Sequence, residues 1–362
     1  MNADFTSALR AVAKLTRSQK LVEATRLIQA TLSGKQLPQT VQDETTEQER
    51  PSKKPLGLVV NTLRRAKQNL ETPVRKARKG LAIPEGAQFL AGAFSCRAGA
   101  RDYRLYIPSN RGSGRRPLIV MLHGCKQDPV DFAIGTRMNE IAEHHGMFVL
   151  YPAQTNRANP MSCWNWFNPS DQVRDAGEPA IVSGMTREII TQHNIDPEKV
   201  FVAGLSAGGA MAAVLGATYP DLFAAMGVHS GLPYKAARDA VSAFAAMRGE
   251  NSAAMKNGVV PRIRTIVFHG DADQTVHPSN AAKIIAGQTQ SSDLLEEFQS
   301  GGQQSYTRKI ARDVNGKIWN EQWLVHGVQH GWSGGSSEGS FTDAGGHDAS
   351  REMVRFFLET GP

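Results

Sequence analysis

This 362-residue chain has little cysteine, no long apolar run and no even spread of charge. Three cysteines, Cys96, Cys125 and Cys163, are too few for a disulfide scaffold and do not have metal-site spacing. They read either as three small buried side chains or as a single Cys125–Cys163 bridge. No stretch reaches the roughly 18 apolar residues that a membrane-spanning helix needs, so no transmembrane segment is expected. A signal-peptide pattern is also lacking: Arg10, Lys14, Arg17 and Lys20 interrupt every apolar stretch near the start. On sequence alone that makes the cytoplasm the expected compartment. Acidic residues are scarce in the first 80 positions, which hold 16 Lys/Arg against 7 Asp/Glu, a net +9. The other 282 residues hold the remaining 25 basic and 27 acidic groups, a net −2, which together account for the overall +7. The larger body is therefore nearly neutral, which excludes a nucleic-acid-binding core.

What is present divides into three. Residues 1–34 carry helical spacing in Leu9, Val12, Ala13 and Leu15, and again in Leu21, Val22, Ala24, Leu27 and Ile28, predicting a helical hairpin. Residues 35–84 form a flexible linker, rich in Gln, Glu, Thr and Pro and then in basic residues from Arg64 to Lys79. This basic extension is expected to contact an anionic surface or to mediate self-association. From 85 to 362 strands and helices alternate. Gln88–Cys96 and Arg101–Ile107 read as a strand pair turning at 98–100, Pro117–Leu122 and Met147–Tyr151 as buried strands, and Asp131–His145 as one helix. Ala180–His193 and Ala207–Ala217 read as helices, with Lys199–Ala203, Leu222–Val228 and Arg262–Phe268 as strands and a helical segment near 235–248. Ser279–Gly287 is a helix, Ser305–Arg312 and Gly316–Val325 a hairpin, and Arg351–Glu359 a final helix. That alternation implies an α/β fold, a mostly parallel central sheet covered by helices on both faces.

The stretch Gly204-Leu205-Ser206-Ala207-Gly208 has the form G-x-S-x-G between a β-branched strand and an Ala/Gly-rich helix. In that setting it describes a nucleophile elbow, a strained strand-to-helix turn that lifts the serine hydroxyl clear of the sheet. Such a serine needs a base, a carboxylate to orient the base, and oxyanion donors. Two carboxylates follow the strand Arg262–Phe268: Asp273, further into the loop, is favoured over Asp271, which sits in the turn. His330, in a glycine-flanked loop after the last hairpin strand, is the favoured base, with His326 and His347 as alternatives. The oxyanion donors would be the backbone N–H groups of Ala207 and of Cys125, in the loop His123-Gly124-Cys125. Trp164 and Trp166, in the long loop after Tyr151, and Trp332 are expected to line the substrate site; the alternative is that they pack these loops. No metal or organic cofactor is implied.

Taken in order, Leu122-His123-Gly124-Cys125, Tyr151-Pro152, Cys163-Trp164-Asn165-Trp166-Phe167, Gly177-Glu178-Pro179, Ala203-Gly204-Leu205-Ser206-Ala207-Gly208-Gly209-Ala210-Met211, His269-Gly270-Asp271-Ala272-Asp273 and His330-Gly331-Trp332-Ser333-Gly334-Gly335 resemble the polyhydroxybutyrate (polyhydroxyalkanoate) depolymerase family of esterases. The resemblance covers about residues 85–358. It implies an α/β-hydrolase fold and hydrolysis of short-chain polyhydroxyalkanoates or their oligomers. Carried onto this chain, it implies Ser206 as nucleophile, Asp273 as acid, His330 as base, and Cys125 and Ala207 as oxyanion donors. Feruloyl and acetylxylan esterases are similar relatives and keep a second substrate class open, as does a hydrolase fold used only for binding. The family's secreted members point to an extracellular enzyme, against the expectation from the N-terminus, and a Cys125–Cys163 disulfide would suit export.

Overall fold

The computed structural model describes residues 81–110, 112, 114–250, 261–301 and 305–359. The hairpin expected over 1–34, and the linker over 35–84 except its last four residues, lie outside the described residues. Leu81–Pro362 forms a compact unit of its own, separate from Met1–Gly80.

The unit is built on a ten-stranded sheet. Its strands are β1 (Gln88–Cys96), β2 (Gly99–Ile107), β3 (Arg116–Leu122), β4 (Phe148–Pro152), β5 (Ile195–Leu205), β6 (Ala225–His229), β7 (Arg264–Gly270), β8 (Leu294–Ser300), β9 (Tyr306–Arg312) and β10 (Ile318–Val325). They lie in the order β1-β2-β4-β3-β5-β6-β7-β10-β9-β8. The six strands from β4 to β10 in that order run parallel, and antiparallel ribbons extend both edges. A separate two-stranded ladder joins β11 (Trp332–Ser333) to β12 (Thr342–Asp343).

Period-two alternation divides the core in two. Leu118, Val120, Leu122, Val200 and Val202 point to one face. Ile119, Met121, Phe201, Ala203 and Leu205 point to the other, as successive side chains on a strand must. Both faces are covered, which is why the central strands are almost continuously apolar. Helices α3 (Gly177–Gln192), α4 (Ala207–Thr218), α5 (Ala240–Met247) and α6 (Ser279–Ala286) contribute Val182, Met211, Ala243 and Ile284 to the first face. The other face receives Phe132 from α1 (Pro129–Thr136), Met138 from α2 (Met138–His145) and Phe357 from α7 (Ala349–Leu358).

Three local expectations are revised. The helix expected over 131–145 breaks in two because Arg137 adopts a left-handed backbone (φ 55°). The first hairpin turns one residue earlier than expected, since Gly99 already pairs with Cys96. The strand expected from Leu222 begins at Ala225, the residues before it being held in a turn by Tyr219. The fold reverses direction at β3, which has β4 on one side and β5 on the other. Such a switch point opens a crevice at the carboxyl ends of the strands, and that edge carries every candidate site residue.

Candidate active site

Ser206 follows β5 directly, with φ 56° and ψ −119°, a conformation that a residue with a side chain adopts only under constraint. The constraint is visible on both sides. The Ser206 N–H donates to the carbonyl of His229 at the end of β6 (2.9 Å), and its own carbonyl accepts from Ala210 N–H in α4 (2.9 Å). The helix then passes so close to β3 that a Cβ on Gly208 would overlap the carbonyl of Leu122. Ala207 is the first residue of α4, so its N–H has no intrahelical acceptor and sits beside the serine.

Cys125 lies in the loop after β3, and that loop is held from several directions. His123 is fully buried; its Nδ1–H donates to the Gly124 carbonyl (2.8 Å) and its Nε2 accepts from Gln154 N–H (3.1 Å). Burial lowers the pKa of His123 and so favours the neutral ring those two bonds require. Gly124 N–H donates to Gln127 Oε1 (2.9 Å). Cys125 is disulfide-bonded to Cys163, with the Cα atoms 4.2 Å apart, and Lys126 N–H donates to the Met161 carbonyl (2.8 Å). Of the two readings of the cysteines, the bridge is the one the structure contains, and Cys96 is exposed rather than a small core residue.

The two carboxylates after β7 take different histidines. Asp273 Oδ2 accepts from His330 Nδ1 (2.7 Å), while its Oδ1 accepts from the N–H groups of Thr275 and Val276 (2.9 Å each). A second ring, His269, places Nε2 3.3 Å from the same Oδ2 and 2.8 Å from the Val276 carbonyl. Burial alone would raise the pKa of Asp273. Hydrogen bonds from His269 and His330 outweigh it and hold the carboxyl well below the usual carboxylate range. Asp271 instead accepts from His326 Nδ1 (2.8 Å) and Gly327 N–H (2.7 Å), in a pair more than a third exposed on both partners, whereas Asp273 is sealed off. His347 stacks on Trp323 (4.7 Å) and faces Glu352, so it joins neither pair. The loop bearing His330 is laid across the end of β7: Asp271 and Ala272 N–H groups donate to the Val325 and Val328 carbonyls, and a Cβ on Gly270 would strike the second of these.

His229 is a residue that sequence reasoning missed. It sits at the end of β6 with its backbone on Ser206, and its side-chain Nε2 accepts from Ser333 N–H (2.9 Å), three residues beyond His330. One residue therefore ties the serine turn to the histidine loop. Burial, with the nearby His269 and His330, pushes its pKa down to about 3, so the ring is neutral and can accept that bond. As the last residue of an apolar strand it carries no local mark of that role in the sequence.

The three tryptophans require a correction. Trp164 and Trp332 are 0% and 1% exposed, and Trp166 is 6% exposed. Trp164 Nε1–H donates to the His123 carbonyl (3.1 Å), and Trp332 Nε1–H donates to Ser350 Oγ (3.0 Å). Their rings fill the core beneath the loops and do not line an open surface. The loop bearing Trp164 is anchored by buried Glu178, which accepts from Asn165 N–H (2.7 Å) and Asn165 Nδ2 (2.8 Å) as well as from Gln154. Among the described residues, no group of three His, Cys, Asp or Glu side chains is arranged to hold a metal ion, and no helix is long and apolar enough to cross a membrane.

With this geometry in place, comparison with known proteins is decisive on ancestry. The family model for esterase PHB depolymerases matches residues 101–298. The chain belongs to the esterase PHB depolymerase family. Within reach of this family, poly(3-hydroxyalkanoate) depolymerase C of Paucimonas lemoignei is 33% identical over 247 residues, covering 62% of this chain and 57% of that protein. Feruloyl esterase B of Neurospora crassa is 30% identical over 199 residues, covering 50% of this chain and 66% of the relative. The chain spans about half the length of the curated depolymerases it matches. An acetyl xylan esterase from Aspergillus awamori superposes with a TM-score of 0.53 at 21% identity, covering 67% of this chain and 93% of that one; this likeness establishes the α/β-hydrolase fold.

Proposed function

We propose that the protein is a serine esterase that hydrolyses carboxylic esters through an acyl-enzyme, with short-chain poly(3-hydroxyalkanoate) or its oligomers as substrate. The observation that carries the reading is the joined pair of turns: a strained Ser206 tied through His229 to the loop on which His330 is hydrogen-bonded to Asp273. In this reading His330 Nε2 takes the proton of Ser206 Oγ as the oxygen attacks the ester carbonyl. Asp273 holds the imidazole in the tautomer that leaves Nε2 free and stabilises the imidazolium that forms. The Cys125 and Ala207 N–H groups stabilise the tetrahedral oxyanion, a contribution of about 10²–10³ in rate for each donor. The C–O bond breaks, His330 returns the proton to the leaving alcohol, and water deprotonated by the same ring releases the acid and restores Ser206.

Ser206→Ala is expected to lower turnover on the order of 10⁶-fold without changing the thermal transition, and to abolish labelling by a fluorophosphonate. A folded variant that still turned over normally would exclude the mechanism, and a wild-type chain that failed to label would favour a hydrolase fold used only for binding. A second substrate class is favoured by the feruloyl and acetylxylan esterase relatives. Turnover of polyhydroxybutyrate film, 3-hydroxybutyrate oligomers, p-nitrophenyl butyrate and methyl ferulate separates the two, because preference for ferulate would replace the substrate and leave the mechanism standing. The excess of positive charge in residues 1–80 supports a further part of the proposal, contact of that extension with an anionic surface.

A further inference from the structure

The exposed aromatic ring beside His330 is not one of the tryptophans. It is Phe341, 43% exposed and with a left-handed backbone, φ 53°. Bulky side chains rarely adopt this conformation, and Gly or Asn would adopt it far more readily. The backbone is held there from both flanks. Trp332 N–H donates to the Phe341 carbonyl (2.7 Å), and Gly334 N–H donates to the Asp343 carbonyl (2.8 Å), while Thr342 and Asp343 pair with Trp332 and Ser333. Trp332 is itself locked in the core by Ser350 and by edge contact with Phe132 (ring centroids 5.5 Å apart). Neither backbone conformation nor burial calls for a benzyl group at 341, yet a fixed backbone presents one to solvent. Strain of this kind clusters at sites of contact with ligands.

That ring borders a cleft of about 560 Å³ whose wall includes His330, Gly331, Ser337, Thr342 and Asp343, but not Ser206. In the esterase reading, on which this step rests, the acyl carbon stays on Ser206 while the alcohol oxygen departs with the proton that His330 delivers. A cleft with His330 in its wall and Ser206 outside it lies on the alcohol side of the scissile bond. We infer that Phe341 binds the alcohol portion of the ester, packing its ring against an aliphatic alcohol chain such as the hydroxyacyl end of a polyester or oligomer. Trp332 acts as the positioning residue beneath it. The polar remainder of the wall suits a chain that carries further ester carbonyls.

Two ester series on the 362-residue chain test this. One holds the acyl group as butyrate and lengthens the alcohol from methyl to butyl to hexyl; the other holds the alcohol as methyl and lengthens the acyl group. Phe341→Asn keeps a residue suited to the left-handed backbone and removes the ring. It is expected to lower kcat/KM for butyl and hexyl butyrate by roughly tenfold relative to methyl butyrate, chiefly through KM, and to leave the acyl series parallel to wild type. Deacylation of the common butyryl-enzyme should be unchanged, and the melting temperature equal or higher, because strain is relieved. Phe341→Leu should restore most of the preference for longer alcohols. Uniform loss across both series, loss that follows acyl length, or a fall in melting temperature that accounts for the lost activity would overturn the inference while leaving the esterase standing. Failure of the wild type to hydrolyse any of these esters or to label with fluorophosphonate would remove the esterase reading and this inference with it.

Discussion

At the scale of single residues, the two Asp–His pairs at the end of β7 offer the sharpest test of the proposed triad. The pairs are built from neighbouring positions and differ chiefly in burial, so a direct comparison is informative. Asp273→Asn should lower kcat by about 10⁴-fold, because an amide cannot hold His330 in the required tautomer; Asp271→Asn should stay within tenfold of wild type. Equal losses in the two variants would refute the assignment of Asp273. His229 brings a pH dependence that belongs to folding rather than chemistry. Its pKa is about 3 in the folded chain against about 6.5 in an unfolded one. Between those values the unfolded chain binds more protons, so stability is complete above pH 6.5 and declines as pH falls towards 3. Asp273, with its pKa depressed, adds a loss of the same sign below about pH 4. Calorimetry should therefore show the melting temperature falling from pH 7 to pH 4.5, and His229→Gln should flatten that slope while lowering the melting temperature at pH 7. An unchanged slope in the variant would assign the acid sensitivity to other groups. In the sequence, Ser206, Asp273 and His330 stand out because an elbow, a loop and a glycine-flanked ring each follow a strand. His229 and His269 do not, because a histidine inside a strand carries no local mark of what its ring will meet across the sheet.

At the scale of elements, the loop after β3, which carries the proposed oxyanion donor Cys125, is a short connection shaped largely by its neighbours. Its own residues contribute the bonds of His123 and Gln127 to Gly124, while the loop after β4 supplies the disulfide partner, the Met161 carbonyl and the Trp164 indole. The bridge spans a sequence separation of 38 residues, for which loop-closure entropy corresponds to about 4 kcal/mol. The double variant Cys125→Ala/Cys163→Ala should therefore lower the urea midpoint markedly. Because Cys125 N–H is a proposed oxyanion donor, kcat should also fall, by about tenfold or more, while KM changes less. Lost stability with unchanged kcat would separate the bridge from the donor geometry. Legibility follows the same division. The buried parallel strands β3, β5 and β7 read clearly as β-branched runs, since both their faces are in the core. The edge strand β8 escaped notice because Leu294, Leu295 and Phe298 are exposed and show no alternation. Its register is supported by cross-strand ion pairs to β9, Glu296 with Arg312 and Glu297 with Lys309. The tryptophans misled for a related reason: a large ring in a long loop has the same sequence signature whether it covers substrate or fills the space beneath the loop.

At the scale of the whole molecule, charge and structure divide the chain at the same place. The unit from Leu81 onwards holds both core layers and every residue proposed to act on the ester, and its composition is nearly neutral, whereas residues 1–80 carry the net +9. Catalysis on a small soluble ester should then be indifferent to the extension, and binding to a charged surface should depend on it. A chain comprising residues 81–362 is expected to keep the thermal transition of the catalytic unit and to hydrolyse p-nitrophenyl butyrate with kcat/KM within about twofold of the full chain. On anionic vesicles or sulfonated beads the two should part: the full chain binds at low salt and is released as salt rises, since the screening length falls from about 10 Å at 0.1 M to about 3 Å at 1 M. The shorter chain should not bind at any salt concentration. If it bound as well as the full chain, the attraction would reside on the catalytic unit despite its near-neutral composition. If it lost turnover of the soluble ester, residues 1–80 would be part of the catalytic fold rather than an attachment to it.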